Sequence, residues 1–252
     1  MKQAVLYICH GSRVEKARAE AVSFISKCME SVDAPIQEIC FLELSEPDIL
    51  SGFEACIKKG AESIAAVPVL LLTAAHAKLD IPEELEKAGA LYPEIPVTYG
   101  KPIGVQGDMA EAVLEQLRPL PKDEDVRVLL TGRGSSDPDV KRDLGIIAKG
   151  IAERAEGVNI SPCYLTAAEP SFSDMLSRID DFPEKNIYIV PYLLFTGLLM
   201  KGIEKEASQL TTRKNMTVCS YVGFSMYAEK AFLRRVNETL SALSEKPEAE
   251  AK

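Results

Sequence analysis

The chain alternates between short, nearly unbroken apolar runs and longer stretches in which apolar residues recur every three or four positions. Residues 4–9 (Ala-Val-Leu-Tyr-Ile-Cys) form the first run and read as a buried strand. Over 14–32, Ala17, Ala21, Val22, Phe24, Ile25, Cys28 and Met29 recur at helical spacing among charged residues, and Pro35 closes that helix. The same alternation predicts strands over 36–44, 63–72 and 96–99. Helices are expected from Ser45 to about 59, with Ser45 as N-cap and Pro47 in the first turn, then through Pro82 to 89 and over 108–117.

A proline-bearing stretch over 118–125 reads as a linker, and the plan then repeats. Strands are expected over 126–131, 159–165, 186–195 and 216–221, with helices over 139–155, 169–179, 201–212 and 226–243. Strands alternating with helices throughout predict an α/β fold of parallel sheets covered on both faces. The domains follow as 1–118, a linker over 119–125, 126–243, and a disordered polar tail over 244–252.

The two halves share more than rhythm. At one constant offset of 123 residues, Gly11-Ser12 matches Gly134-Ser135, Glu46-Pro47 matches Glu169-Pro170, and Val67-Pro68 matches Val190-Pro191. Thr73 matches Thr196, Lys78 matches Lys201, and Gly100 matches Gly223 at the same offset. A single gapless spacing across every strand end is an internal duplication.

That duplication sorts the candidate chemistry. Ligands of open α/β sheets bind beyond the carboxyl ends of the strands. In the first half those ends carry His10, Glu43 and His76, and the two histidines are the only ones in the chain. The offset puts Arg133, Thr166 and Leu199 at the corresponding places. Scaffold residues therefore persist in both copies, while the metal- or proton-binding types occur in one. Imidazole and carboxylate together suit a divalent cation such as Fe²⁺ or Co²⁺, and equally a proton transfer near neutral pH. Residue type alone leaves both roles open. Glu46 and Glu169, beside proline in both copies, read as first-turn partners of the helix dipole.

Composition narrows the partners. The formal net charge of −9 argues against nucleic acid or an anionic membrane as the main partner. Arg13, Lys78, Arg133 and Lys201 nevertheless share the loops of the histidines and point to an anionic ligand. The N-terminal apolar run is too short for a signal peptide, and the longest apolar stretch, 188–200, is interrupted and too short to span a bilayer. Six scattered cysteines without zinc-ligand spacing read as reduced thiols, so a cytoplasmic location is expected. A histidine-phosphatase reading of His-Gly fails because Cys9 stands where that chemistry needs Arg.

The strand followed by His10-Gly11-Ser12-Arg13, the Glu43-Leu44-Ser45-Glu46-Pro47 strand end, and Val67-Pro68 with Leu70-Leu71 before Ala75-His76 resemble the class II tetrapyrrole chelatases. The two-copy members of sirohaem synthesis are the nearest match, and the likeness runs to about residue 243. It implies two tandem flavodoxin-like domains facing a central cleft. It also implies a lyase that inserts Fe²⁺ into sirohydrochlorin, releasing two protons to give sirohaem. The implied roles are metal ligation and catalysis by His10, Glu43 and His76, and substrate binding by Ser12, Arg13, Thr73, Lys78, Arg133, Ser135 and Lys201. Fe²⁺, or Co²⁺, is then a substrate. No permanent cofactor is expected, nor an iron–sulfur cluster, since the chain lacks the Met-x-Cys-x-x-Cys pattern of some members. A cobaltochelatase of cobalamin synthesis and a non-catalytic tetrapyrrole or metal carrier are the alternative readings, and a monomer is the expected state.

Overall fold

In the computed structural model the chain is described over residues 2–119 and 125–244. The linker expected over 119–125 and the tail expected over 244–252 lie, apart from their ends, outside the described residues. In chain order the first half contains β1 (Gln3–Cys9), α1 (Glu15–Met29), β2 (Ile36–Phe41), α2 (Ile49–Lys58), β3 (Ser63–Pro68), α3 (Ile81–Leu91), β4 (Val97–Tyr99) and α4 (Gly107–Gln116). The second half contains β5 (Val126–Gly132), α5 (Pro138–Ala152), β6 (Val158–Tyr164), α6 (Phe172–Ser177), β7 (Asn186–Tyr192), α7 (Leu198–Gln209), β8 (Asn215–Val218) and α8 (Met226–Ser244).

Each half builds a four-stranded parallel sheet, ordered β2-β1-β3-β4 and β6-β5-β7-β8. Val5, Leu6, Tyr7 and Ile8 on β1 and Ile64, Ala65, Ala66 and Val67 on β3 are wholly buried, as unbroken apolar runs require in a sheet covered on both faces. The register runs Tyr7 beside Ile39 and Val67, then Ile8 beside Cys40 and Pro68, so β1, β2 and β3 end together. Strand order reverses between β1 and β3, and the loops leaving those two strands flank that switch point.

The compact units do not follow the repeat boundaries. One comprises the chain up to Gly104 together with the stretch from Glu229 onward; the other runs from Val105 to Ala228. The sequence divides the chain at the duplication, whereas packing exchanges the last helix of each copy. α8 lies on the first sheet's unit, where Phe232 is wholly buried against Tyr7 and Phe24, with ring centroids 6.1 and 5.6 Å away. Arg235 Nε donates to the Ile103 carbonyl at 3.0 Å and fastens the same helix there. α4 packs in the other unit, with Met109, Ala112 and Val113 fully buried. An amphipathic face states how much apolar surface must be covered, and two similar sheets offer equivalent places to cover it.

One cap differs from expectation. Ser45 does not cap α2; its Oγ accepts from Ser12 N and donates to Ser12 O, both at 3.2 Å, tying the second turn to the first. Asp48 is the N-cap instead, its Oδ1 accepting from Ser51 N at 2.8 Å. In the second copy Ser171 caps α6 through Asp174 N at 3.0 Å. Glu46 and Glu169 therefore precede the caps, and each accepts the backbone N–H two residues on, from Asp48 at 3.1 Å and Ser171 at 2.8 Å. Both Glu–Pro peptides are cis. The strand expected over 36–44 stops at Phe41 because the chain turns at Leu44, whose φ is 61°.

Candidate metal centre

Backbone places the donors before side chains do. Beyond the last strand pair, Leu42 N donates to Cys9 O at 2.8 Å and Glu43 N to His10 O at 3.1 Å, so the first and second turns run side by side. Gly11 makes that approach possible. Its φ is 94°, and a Cβ there would lie 1.7 Å from the Glu43 carbonyl oxygen. The duplicate, Gly134, has φ 88° and would meet Thr166 O at 1.9 Å. The turn is thus shared by both copies, and only its side chains differ.

His10 and His76 meet across the switch point. Their Nε2 atoms are 3.1 Å apart, with ring centroids 4.5 Å apart and the planes at 86°. Glu43 Oε1 stands 3.4 Å from His10 Nε2. His76 Nδ1 faces Asp80 Oδ2 at 2.7 Å, and His10 Nδ1 faces the Gly11 carbonyl oxygen at 3.1 Å. A carbonyl and a carboxylate only accept, so assignment from these partners puts a proton on each Nδ1. Two neutral rings so protonated would aim two lone pairs at each other. The conflict disappears where one ring carries its proton on Nε2 and donates to the other, where the rings share an added proton, or where both bind a metal. Two imidazole nitrogens about 2.1 Å from a metal and at roughly a right angle lie about 3 Å apart, which is the separation seen.

Among the described residues no three His, Cys, Asp or Glu side chains form a ready-made metal cage. These three meet as two pairs, both through His10 Nε2. Both rings and both carboxylates remain partly open, with side-chain exposures of 26% for His10, 29% for His76, 48% for Glu43 and 47% for Asp80.

The remaining sequence candidates divide. Ser12 and Ser135 each accept a backbone N–H on Oγ at 3.1 Å, from Val14 and Asp137, which leaves the hydroxyl proton of each to donate. Arg13 and Arg133 are exposed in the turns after β1 and β5, and Lys201 is exposed in the first turn of α7. Lys78 is exposed on the segment that bears His76, and Thr73 is half-buried in the loop leading to it. Exposed Leu44 and Leu79 adjoin Glu43 and Asp80 in sequence and add apolar surface to these turns. Asp80 escaped sequence reasoning, although its offset counterpart, Ile203, gives the same one-copy signal as the histidines.

The six cysteines are free, buried thiols. Burial pushes Cys9, Cys28 and Cys56 up to about 12 and Cys163 and Cys219 up to about 11, and raises Cys40 as well. At neutral pH they stay protonated and do not compete for a metal, since the thiolate is the ligand form. The native chain should react with iodoacetamide far more slowly than the unfolded one. A raised thiol pKa stabilises the fold below the unfolded value near 9 and is lost as pH climbs toward 12. The melting temperature is therefore expected to fall above about pH 9, and a flat profile to pH 11 would contradict these thiol environments.

The CbiX family model matches residues 4–120 and again 127–239. The chain belongs to the CbiX family, the class II chelatases, and carries its unit twice. It is 48% identical to the sirohydrochlorin ferrochelatase of Bacillus subtilis over 241 residues, covering 95% of this chain and 92% of that one. It is 31% identical to the sirohydrochlorin cobaltochelatase of Priestia megaterium over 247 residues, covering 94% and 80%. The solved structure of SirB from Bacillus subtilis with Fe³⁺ superposes with a TM-score of 0.88 at 49% identity, covering 95% and 96%. No described helix is long and apolar enough to cross a membrane.

Proposed function

We propose that this chain is a sirohydrochlorin ferrochelatase in which His10, Glu43 and His76 hold Fe²⁺ and pass it to the macrocycle. The observation that carries this reading is the facing Nε2 pair at 3.1 Å with Glu43 beside it. Near-full-length likeness to a ferrochelatase supplies the substrate.

The chemistry follows from those groups. Insertion exchanges the two pyrrole N–H protons for a dication, so the site has to release metal and accept protons. Binding of Fe²⁺ releases to water any proton held on the two Nε2 atoms, and His10, His76 and Glu43 would supply two nitrogens and a carboxylate oxygen, with positions left for the macrocycle nitrogens. As the metal moves onto the ring, one freed Nε2 lone pair takes up one pyrrole proton, held between the two rings, and the other pyrrole proton leaves to water. Glu43, half exposed beside His10, follows the charge. Exposed Arg13, Lys78, Arg133 and Lys201 bind the peripheral carboxylates. Ser12 and Ser135, in the turns after β1 and β5, and Thr73, in the loop before His76, complete the substrate-binding set. Replacing Arg13 by Ala should raise KM for sirohydrochlorin several-fold and leave Co²⁺ affinity unchanged. A change confined to metal affinity would remove Arg13 from substrate binding.

A cobaltochelatase reading shares every donor. Imidazole and carboxylate bind Co²⁺ at least as tightly as Fe²⁺. Both metals should therefore be inserted by the purified chain, and parallel rate measurements with each are the test. A non-catalytic carrier predicts stoichiometric binding of sirohydrochlorin without turnover under excess Fe²⁺.

A further inference from the structure

We infer that Asp80 is a positioning residue for metal transfer: its carboxylate holds the proton on His76 Nδ1 and aims the bare Nε2 toward the metal. This rests on the reading of His76 as a ligand and goes one shell further out. A neutral imidazole has two tautomers, and only the one protonated at Nδ1 offers Nε2 as a donor. A carboxylate on Nδ1 selects that tautomer and makes the ring a stronger ligand.

Three observations carry it. The Asp80 contact, at 2.7 Å, is shorter than the Nε2–Nε2 approach and the His10–Gly11 contact, both 3.1 Å. The two residues sit at the ends of a π-helical turn, His76–Asp80, closed by Ile81 N–H on the His76 carbonyl. Such turns gather at functional sites because they re-aim side chains within a helix. Tyr99 braces the turn, its hydroxyl donating to Ala77 O at 3.0 Å.

The second copy has none of this. His76, Asp80 and Tyr99 correspond to Leu199, Ile203 and Val222, and residues 199–203 lie inside the regular helix α7. A device absent from the copy without histidines belongs to the histidines rather than to the fold. Asp80 immediately precedes α3, yet its side chain makes no capping hydrogen bond. A plain helix acid would act through the helix dipole alone and would affect stability only.

A double-mutant cycle on the full chain separates these roles, with Co²⁺ as probe, its visible absorption as readout, and melting temperature and insertion kinetics alongside. Asp80→Ala should weaken Co²⁺ binding about 10- to 100-fold with little change in melting temperature. Asp80→Asn, which still offers an accepting oxygen, should recover part of the loss. In the His76→Ala background Asp80→Ala should add nothing. Unchanged Co²⁺ affinity in Asp80→Ala, where His76→Ala binds weakly, would overturn the assignment. So would an equal loss in both backgrounds, the mark of an effect independent of His76. If His76→Ala alone binds Co²⁺ like the parent chain, the ligand reading itself falls and this inference falls with it.

Discussion

Replacing His10 by Ala should slow Fe²⁺ insertion into sirohydrochlorin by about 10²–10⁴-fold, the span set by removing a positioned proton carrier, while the chain stays folded. His10 Nε2 is the one atom that contacts both other members of the site, at 3.1 Å to His76 Nε2 and 3.4 Å to Glu43 Oε1. Without it His76 and Glu43 have no common partner, and the metal loses one imidazole of two. The ring is half-buried at a strand end, outside the apolar cores of the sheets, so truncation removes little packing. The loss should appear in kcat and in metal affinity, with KM for the macrocycle nearly unchanged. An anaerobic absorbance assay of sirohaem formation measures it. Insertion at the parent rate would remove His10 from the mechanism.

The second large effect is expected at Gly11. Alanine there meets two penalties at once: a φ of 94°, which disfavours an L side chain by about 1–2 kcal/mol, and a Cβ placed 1.7 Å from the Glu43 carbonyl oxygen. Relief requires the first and second turns to separate, with overpacking of this kind worth about 1–3 kcal/mol more. Gly11→Ala should therefore lower stability by about 2–5 kcal/mol and weaken Co²⁺ binding, because the turns that part carry His10 and Glu43. Gly134→Ala is the internal control. Its φ of 88° and 1.9 Å approach to Thr166 O predict a similar loss of stability with Co²⁺ affinity retained, since that turn bears Arg133 and Thr166. Denaturant unfolding and Co²⁺ titration of the two variants decide the matter. Equal loss of Co²⁺ affinity in both would mean that the metal does not depend on the first copy's turn in particular.

The pair of glycines also shows how much of this protein can be read before folding it. A fixed offset of 123 residues marked both turns as scaffold and left His10, Glu43 and His76 as the residues of one copy alone. Parallel strand pairing brings the residues leaving β1 and β2 together, and the loop after β3 carries His76 to them, so the convergence was legible in outline. Helix ownership was not. α4 and α8 announce an apolar face, but nothing in that periodicity says which of two similar sheets will receive it. The cap of α2 misled for a related reason. Ser45 and Asp48 are both good N-cap types, and the contest is settled by Ser45 bonding back to Ser12, a contact 33 residues away in the chain. Asp80 was hidden by its setting, an acid near a helix start, where carboxylates are common. Only the π turn that swings it onto His76 reveals its partner.

Everything proposed for this site requires that the first copy's two imidazoles, with Glu43, bind the metal that is inserted. X-ray absorption on the Co²⁺-loaded chain tests it most directly. The expected shell contains two imidazole nitrogens at about 2.1 Å with oxygen neighbours, and one imidazole disappears in each of His10→Ala and His76→Ala. A shell of oxygens alone, or one that neither substitution alters, would contradict it.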